Sequence, residues 1–261
     1  MKVWQLIVDE KPLRGSWNMA VDDYLFRSLG KDERSYLRFY QWERPTVSLG
    51  YSQRPEKVVN LEFCFKNNVD IVRRMTGGKL VLHHREVTYS ICSSDSDTFT
   101  TSLKDSYRLI SLALIRGLEK MGLEPCLAGS PPSAYAHGNL PCFSYPARDE
   151  IEVGGRKIIG SAQKRESSRF LQHGSIPLEG NSHYLESISF LQPGQSRARM
   201  TNLSEALGRK VSFAWAVDHF IEGFAEFFNV SFERKLFSVR EREAVAEIQR
   251  ERYENRRWTF H

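Results

Sequence analysis

No run of apolar residues in this 261-residue chain approaches the roughly 20 needed to cross a bilayer, so a membrane-spanning helix is not expected. The opening residues, MKVWQLIVDE, hold no long apolar segment and reach acidic side chains at once, which argues against a secretory leader and for a cytoplasmic location. Cysteine is scarce. The four are Cys64, Cys92, Cys126 and Cys142, and no CxxC pair is present, which disfavours a zinc knuckle and any other metal site. In a large cytosolic chain free thiols are the expectation, most of them small buried hydrophobes, with one available as a nucleophile. Repeats, low-complexity tracts and Gly/Ser-rich linkers are absent, and the sequence GGK lacks the GxxxxGK spacing of a P-loop. The net charge of +5 and pI of about 9.0 come from Lys and Arg interleaved with acids along the whole chain. Without a basic arm or an RNA-binding signature, nucleic acid is not expected, and a small acidic protein partner stays open.

What is present suffices for a sizeable core, with 41% hydrophobic residues. Ser16 reads as an N-cap for a helix over Trp17–Leu29 stopped at Gly30. Ser35–Tyr40, Thr46–Leu49 and Asp70–Arg73 read as strands, Leu61–Asn67 as a short helix, and Leu80–His83 with Val87–Cys92 as a pair of joined strands. Ser102 opens a helix to Met121 that Gly122 stops. Glu150–Val153 and Arg156–Gln163 flank Gly154–Gly155 as a hairpin, because two glycines supply both positive φ values of a tight turn. Arg169–Leu178 follows as a strand, Ser212–Phe228 as a helix with an apolar stripe, and Ser238 with Glu241 as a capping box for a helix to about Tyr253. The segment 129–141, rich in Pro and Gly, reads as a long loop. The fold class expected is α+β, a mixed β-sheet core with helices packed on it.

Three segments carry candidate chemistry. DIVRRMTGGKLVLHH (70–84) delivers two arginines, Thr76 and a glycine pair whose exposed amides could meet a carbonyl or phosphate oxygen; by itself it reads equally as a tight turn. Its adjacent histidines point to opposite faces of a strand, so they make a poor metal site. PCFSYPARDEIEVGGRKIIGSAQKR (141–165) sets Cys142 before the glycine hairpin and Lys157 across it, and an ammonium near a thiol favours the thiolate. The small residues Gly160, Ser161 and Ala162 leave room for a substrate beside Lys157. A buried Cys and a solvated Lys fit the same letters. LQHGSI (171–176) sets a histidine and a glycine inside an apolar strand, where Gly marks a bulge or a close contact and His is ordinarily a satisfied core residue.

Taken in order, RRMTGGKLVLHH, GRKIIGSAQKR and LQHGSI resemble the signatures of the biotin/lipoate protein ligase and transferase superfamily, and SWNMAVDDYL and YENRRWTF fit its two ends. PCFSYPARDEIEVGGRKIIGSAQKR is most similar to the LipM-type octanoyltransferases. The resemblance implies the lipoate ligase/biotin protein ligase catalytic fold, with residues 1–261 as a single acyltransferase catalytic domain lacking a separate accessory domain. It implies that Cys142 carries an acyl thioester and that Lys157 lowers its pKa. It further implies an acyl-binding loop comprising Thr76, Gly77, Gly78, Lys79, Leu80, Val81, Leu82 and His83, preceded by Arg74. Gly160, Ser161 and Ala162, then His173, Gly174 and Ser175, supply the remaining substrate contacts. The implied reaction is ping-pong transfer of octanoyl from acyl carrier protein to a lipoyl-domain lysine, as on glycine cleavage H protein or a 2-oxoacid dehydrogenase E2 subunit, without a cofactor. Two positions depart from the family pattern. His84 stands where Asp is usual, and Leu80 stands where a small residue is common, which would place a larger side chain in the acyl tunnel.

The rival reading is an ATP- and Mg-dependent lipoate–protein ligase catalytic domain, which shares the glycine loop and the GRK strand but needs no cysteine. An amidotransferase acting between lipoyl domains fits less well, given the TGG loop followed by LVLHHREVTYS, and a relative that only binds lipoyl domains fits less well, given both Cys142 and Lys157.

Overall fold

The computed structural model describes residues 1–30, 33–99, 102–129, 150–190 and 199–261; the predicted loop over 129–141, past its first residue, and Cys142 lie outside them. In chain order the elements are β1 (Lys2–Val8), α1 (Gly15–Ser28), β2 (Ser35–Tyr40), β3 (Thr46–Leu49), α2 (Pro55–Val58), α3 (Leu61–Lys66), β4 (Asp70–Arg73), β5 (Val81–His83) and β6 (Glu86–Ser93). They continue with α4 (Leu103–Lys120), β7 (Pro125–Leu127), β8 (Ile151–Val153), β9 (Arg156–Glu166), β10 (Arg169–Pro177), α5 (Ser182–Ile188) and α6 (Leu203–Leu207). The chain then forms α7 (Phe213–Phe228), β11 (Val230–Arg234), α8 (Val239–Ile248), a π-helical turn Gln249–Tyr253 and α9 (Arg256–Thr259).

Two sheets organise the molecule. The larger runs β11-β1-β2-β6-β10-β9-β8-β7, parallel across β11-β1-β2 and antiparallel beyond; the smaller runs β4-β3-β5. This is the expected α+β class with a mixed sheet. Alternation divides the large sheet between two cores. Leu37, Phe39, Tyr89 and Ile91 face α4 and α7, where Phe220 and Phe224 are fully buried; each such ring contributes about 1.5–3 kcal/mol. Tyr36, Tyr40, Cys92 and Leu171 face the opposite way, toward α1 and α8. A third cluster, built on Val47, Leu49, Leu80 and Leu82, lies on the small sheet against α3 and α5.

Local signals held where the chemistry is local. Ser102 and Ser212 cap α4 and α7 by accepting from Asp105 N and Trp215 N, and Ser238 with Glu241 forms the reciprocal capping box of α8. Gly154 and Gly155 take φ of +57° and +71°, as the hairpin turn requires. Three expectations are corrected. Ser16 does not cap α1: Arg14 is the N-cap, without a side-chain bond, and Ser16 turns to Gln249 and Glu254. Val81–His83 and Val87–Cys92 do not pair, because β5 joins β3 while β6 joins β2 and β10; Arg85, at φ +50°, turns the chain from one sheet into the other. Cys126 is exposed rather than in the core, since β7 is an edge strand.

The two long helices meet through glycine. A Cβ on Gly223 would lie 2.4 Å from Gly117 N and 2.9 Å from Ala113 O, backbone atoms of α4 that cannot move aside independently. Gly223→Ala is therefore expected to lower stability by about 1–3 kcal/mol through overpacking. Urea unfolding curves of the two proteins measure this, and an unchanged midpoint would mean that α4 and α7 separate freely.

Candidate active site

The glycine loop between β4 and β5 is built around one guanidinium. Arg74 donates to the carbonyls of Ser48 (2.8 Å), Gly77 (2.8 Å) and Lys79 (2.7 Å) and to the hydroxyls of Ser48 (3.1 Å) and Thr76 (3.2 Å). A buried guanidinium with so many acceptors shapes the loop first. Gly78, at φ +88°, leaves room for it: a Cβ there would stand 2.9 Å from Arg74 Nη2 and 3.6 Å from the Ala162 methyl. The loop is thereby held against β9.

On the large sheet, β9 and β10 pair Ala162 with His173, Ser161 with Gly174 and Gly160 with Ser175. Gly174 has the close contact expected of a strand glycine. A Cβ on it would lie 2.5 Å from the Tyr89 ring, whose hydroxyl bonds Ser161 Oγ at 2.7 Å.

A narrow cleft lies between these strands, the small sheet and α1. Of the sequence-predicted residues, Arg74, Val81, His83, Gly160, Ser161, Ala162, His173, Gly174 and Ser175 line it. Thr76 stands behind His173, while Gly77, Gly78 and Lys79 form the loop around Arg74. Leu80 and Leu82 point away, into the core of the small sheet, because alternation along β5 sends only Val81 and His83 into the cleft. The expectation that Leu80 narrows an acyl tunnel is corrected accordingly.

Met19, Tyr40, Ser48 and Thr88 complete the lining, and the sequence reading did not single them out. Behind them stand two buried carboxylates that it also missed. Asp22 accepts from Arg38 Nη1 (2.9 Å), Ser90 Oγ (2.8 Å), Tyr40 Oη (3.1 Å) and His173 Nδ1 (3.1 Å). Because that carboxylate only accepts, His173 donates from Nδ1 and its Nε2 receives the Thr76 hydroxyl at 2.7 Å. Glu86 approaches His83 Nδ1 at 2.7 Å and accepts from Ser175 (2.6 Å) and Thr88, while His83 Nε2 meets Ser48 Oγ at 2.7 Å. Trp42 stacks on His83 at 4.0 Å and donates to Thr88. The available signal was an acid or arginine inside an apolar pattern, as at Asp22 or Arg38, which implies a buried partner but does not say which.

Lys157 lies along β9 beyond Gly160, outside the cleft lining. It is fully buried, with its ammonium 2.7 Å from the buried Glu150 carboxylate, a partner the sequence reading did not name. The register of β8 on β9 passes from Ile151↔Ile159 to Glu152↔Lys157, so Ile158 is an extra residue. A bulge of this kind shifts the alternation and turns Lys157 to the face shared by Gly160 and Ala162. Cys142 lies outside the described residues. Burial raises the Cys64 thiol to about 11 and the Cys92 thiol well above its ordinary value, which suits neither for nucleophilic work. Among the described residues, oxygens of Glu33, Asp95 and Asp97 gather closely enough to hold an ion, but the Lys2 ammonium already pairs with Asp95 and Asp97.

Burial acts most strongly on both partners of the Asp22–His173 pair. It opposes charge on Asp22, yet the hydrogen bond from His173 and the Arg38 charge hold that carboxyl below its ordinary value. For His173 burial prevails over Asp22, so the imidazole sits below 6.5 and is neutral at neutral pH. Both groups bind fewer protons folded than unfolded, so stability rises with pH. The histidine contribution is complete above about 6.5 and is lost as the pH falls from there through its folded value. Urea unfolding at pH 7.5 and 5.5 should show a smaller loss on acidification in His173→Gln than in the parent chain; equal losses would contradict this.

Comparison with known proteins agrees with this architecture. The family model of the lipoyl protein ligase A/B catalytic domain matches residues 14–225. The chain is 36% identical to the octanoyltransferase LipM of Carboxydothermus hydrogenoformans over 270 residues, covering 100% of this chain and 99% of that one. Among solved structures, a lipoate-protein ligase A bound with ATP superposes with a TM-score of 0.86 at 23% identity, covering 100% of this chain and 99% of the other. The structure of a bipartite lipoate protein ligase and its E2 lipoyl domain from Thermoplasma acidophilum gives a TM-score of 0.81 at 22% identity, covering 100% and 97%. With a family model spanning most of its length and a full-length relative above 30% identity, this chain belongs to the lipoyl protein ligase A/B catalytic domain family.

Proposed function

We propose that this chain carries an octanoyl group as a thioester on Cys142 and passes it from acyl carrier protein to a lysine of a lipoyl domain. The observation that carries the reading is the full-length match to an octanoyltransferase. The chain is an acyltransferase of protein lipoylation. The cleft supports this chemistry, since Gly160, Ala162, Val81 and Met19 present a narrow apolar path while its histidines are engaged by Asp22, Thr76, Glu86 and Ser48.

In the first half-reaction the Cys142 thiolate attacks the carbonyl of the octanoyl thioester, with the developing oxyanion met by backbone amides and Lys157. A new C–S bond forms, the bond to the carrier breaks, and the carrier thiol leaves with the proton given up by Cys142. In the second, the acceptor amine attacks the acyl-enzyme, the C–N bond forms, and Cys142 departs as thiolate while the amine loses a proton. Lys157 favours the thiolate form. Glu150 at 2.7 Å offsets the cost of burying that ammonium. Acceptors of this class are glycine cleavage H protein and E2 lipoyl domains, and neither ATP nor Mg takes part.

Intact-mass measurement after mixing with octanoyl acyl carrier protein should show a hydroxylamine-sensitive octanoyl adduct that is absent in Cys142→Ala. Transfer that survives Cys142→Ala and requires ATP with free octanoic acid would replace this reading by the ligase one. The lysine is tested separately through the pH profile of iodoacetamide labelling at Cys142. In Lys157→Met/Glu150→Gln, which leaves no unpaired buried charge from the pair, the labelling midpoint should move to higher pH; an unmoved midpoint would remove Lys157 from thiol activation.

A further inference from the structure

Past the cleft, on the Lys157 side, a second hollow opens. Ser175 lines the cleft, and Pro177, the next residue on that face of β10, lines the hollow together with Gly180 and Asn181. The opposite wall is Met200, Thr201 and Asn202. That wall is tied to Lys157, whose backbone N–H donates to Arg199 O (3.0 Å) and whose carbonyl accepts from Thr201 N (2.9 Å). Lys157 therefore stands between the two spaces, with Gly160 farther along β9 on its cleft side and Met200 bridged to it on the other. The carboxylates at the hollow, Glu179 and Glu205, are paired with Arg85 (2.6 Å) and Arg156 (2.7 Å), so neither calls for a cation. Two polar side chains are less well served. Asn181 is 7% exposed and stands at the N-cap position of α5 without capping it; its Nδ2 has one long contact, to His84 O at 3.5 Å. Its carboxamide oxygen accepts nothing among the described residues. Thr201, 3% exposed, keeps a buried hydroxyl without a partner. Buried polar groups are ordinarily hydrogen-bonded, so a wall with these two unengaged groups suits a neutral ligand that carries amides.

We propose that this hollow receives the pantetheine arm of the acyl donor, with the Asn181 carboxamide bonding one of the arm's amides. This rests on the reading above, in which the thioester lies toward Lys157 and the alkyl chain occupies the cleft. The arm leaves the thioester sulfur away from the alkyl chain, and the hollow continues from Lys157 in that sense. Pantetheine is a neutral chain of amides and hydroxyls, and an asparagine carboxamide can accept from an amide N–H and donate to an amide carbonyl. A nucleotide would bring several negative charges to a wall whose neighbouring guanidiniums, Arg85 and Arg156, already hold carboxylates.

The experiment measures, by intact mass, the second-order rate constants for acylation of the full chain by octanoyl pantetheine and by S-ethyl octanethioate, which has the same acyl group and no arm. Contacts with a non-reacting part of a substrate appear in this constant, so the parent chain should react faster with octanoyl pantetheine. In Asn181→Leu the ratio of the two constants should fall about five- to ten-fold, as for the loss of one hydrogen bond. Gly180→Leu fills the hollow from a site where a Cβ meets nothing nearer than Asn202 Nδ2 at 3.5 Å, and it should lower the ratio at least as far. If Asn181→Leu does not fold, Gly180→Leu decides by the same ratio. Equal constants in the parent, or unchanged ratios in the variants, overturn the arm assignment and leave the transferase reading standing. Acylation by octanoyl acyl carrier protein but not by octanoyl pantetheine does the same. Absence of acylation by every one of these thioesters in the parent chain overturns the transferase reading and this assignment with it.

Discussion

The carboxylate of Asp22 is buried against the large sheet, where a lone charge would not persist. Arg38, Tyr40, Ser90 and His173 reach it from β2, β6 and β10, so one carboxylate joins α1 to three strands. Arg38 also bonds Asp9 and Asn18, which extends the network to the loop after β1 and to the first turns of α1. Removing one member of a buried charge pair typically costs about 3–5 kcal/mol, because its partner is left unpaired. The position of α1 over the sheet, and hence of Met19 over the cleft, depends on this arrangement.

The same network gives the cleft its chemistry. His173 donates to Asp22 and accepts from Thr76, and His83 is hydrogen-bonded to Glu86 and Ser48. Arg74 bonds both of those hydroxyls, so the two chains converge on the guanidinium that shapes the glycine loop. The two carboxylates stand behind the wall, and the surface offered to a ligand is small and mostly apolar. Along β9 the requirement reverses. There the extra residue in the strand turns Lys157, paired with the buried Glu150, to the face shared by Gly160 and Ala162.

Much of this fold was legible wherever a few neighbouring residues decide the outcome. The caps at Ser102, Ser212 and Ser238 and the turn at Gly154–Gly155 are of that kind. The unpaired β5 and β6 show the limit. Adjacent β-like runs suggest a hairpin, but Arg85 sends them into different sheets, a choice made by distant partners. The parallel pair β1–β11 was missed because its strands lie at opposite ends of the sequence and neither announces the other. At the site, ordered motifs identified the glycine loop and the strands that line the cleft. They did not reveal Asp22, Glu86 or Glu150: Asp22 meets His173 and Glu86 meets Ser175 on distant strands, and Glu150 meets Lys157 across the hairpin turn. Nor did they separate Val81 and His83 from Leu80 and Leu82, a distinction that strand alternation makes once β5 is placed.

The most direct test of covalent transfer through this cleft follows the acyl group itself. The enzyme is loaded from octanoyl acyl carrier protein, freed of donor by gel filtration, and mixed with an unmodified lipoyl domain in the absence of nucleotide. The account predicts that one octanoyl per loaded enzyme appears in amide linkage on the domain's lysine as the thioester disappears. A loaded enzyme that never delivers its acyl group, while ATP and free octanoic acid support modification, would contradict it.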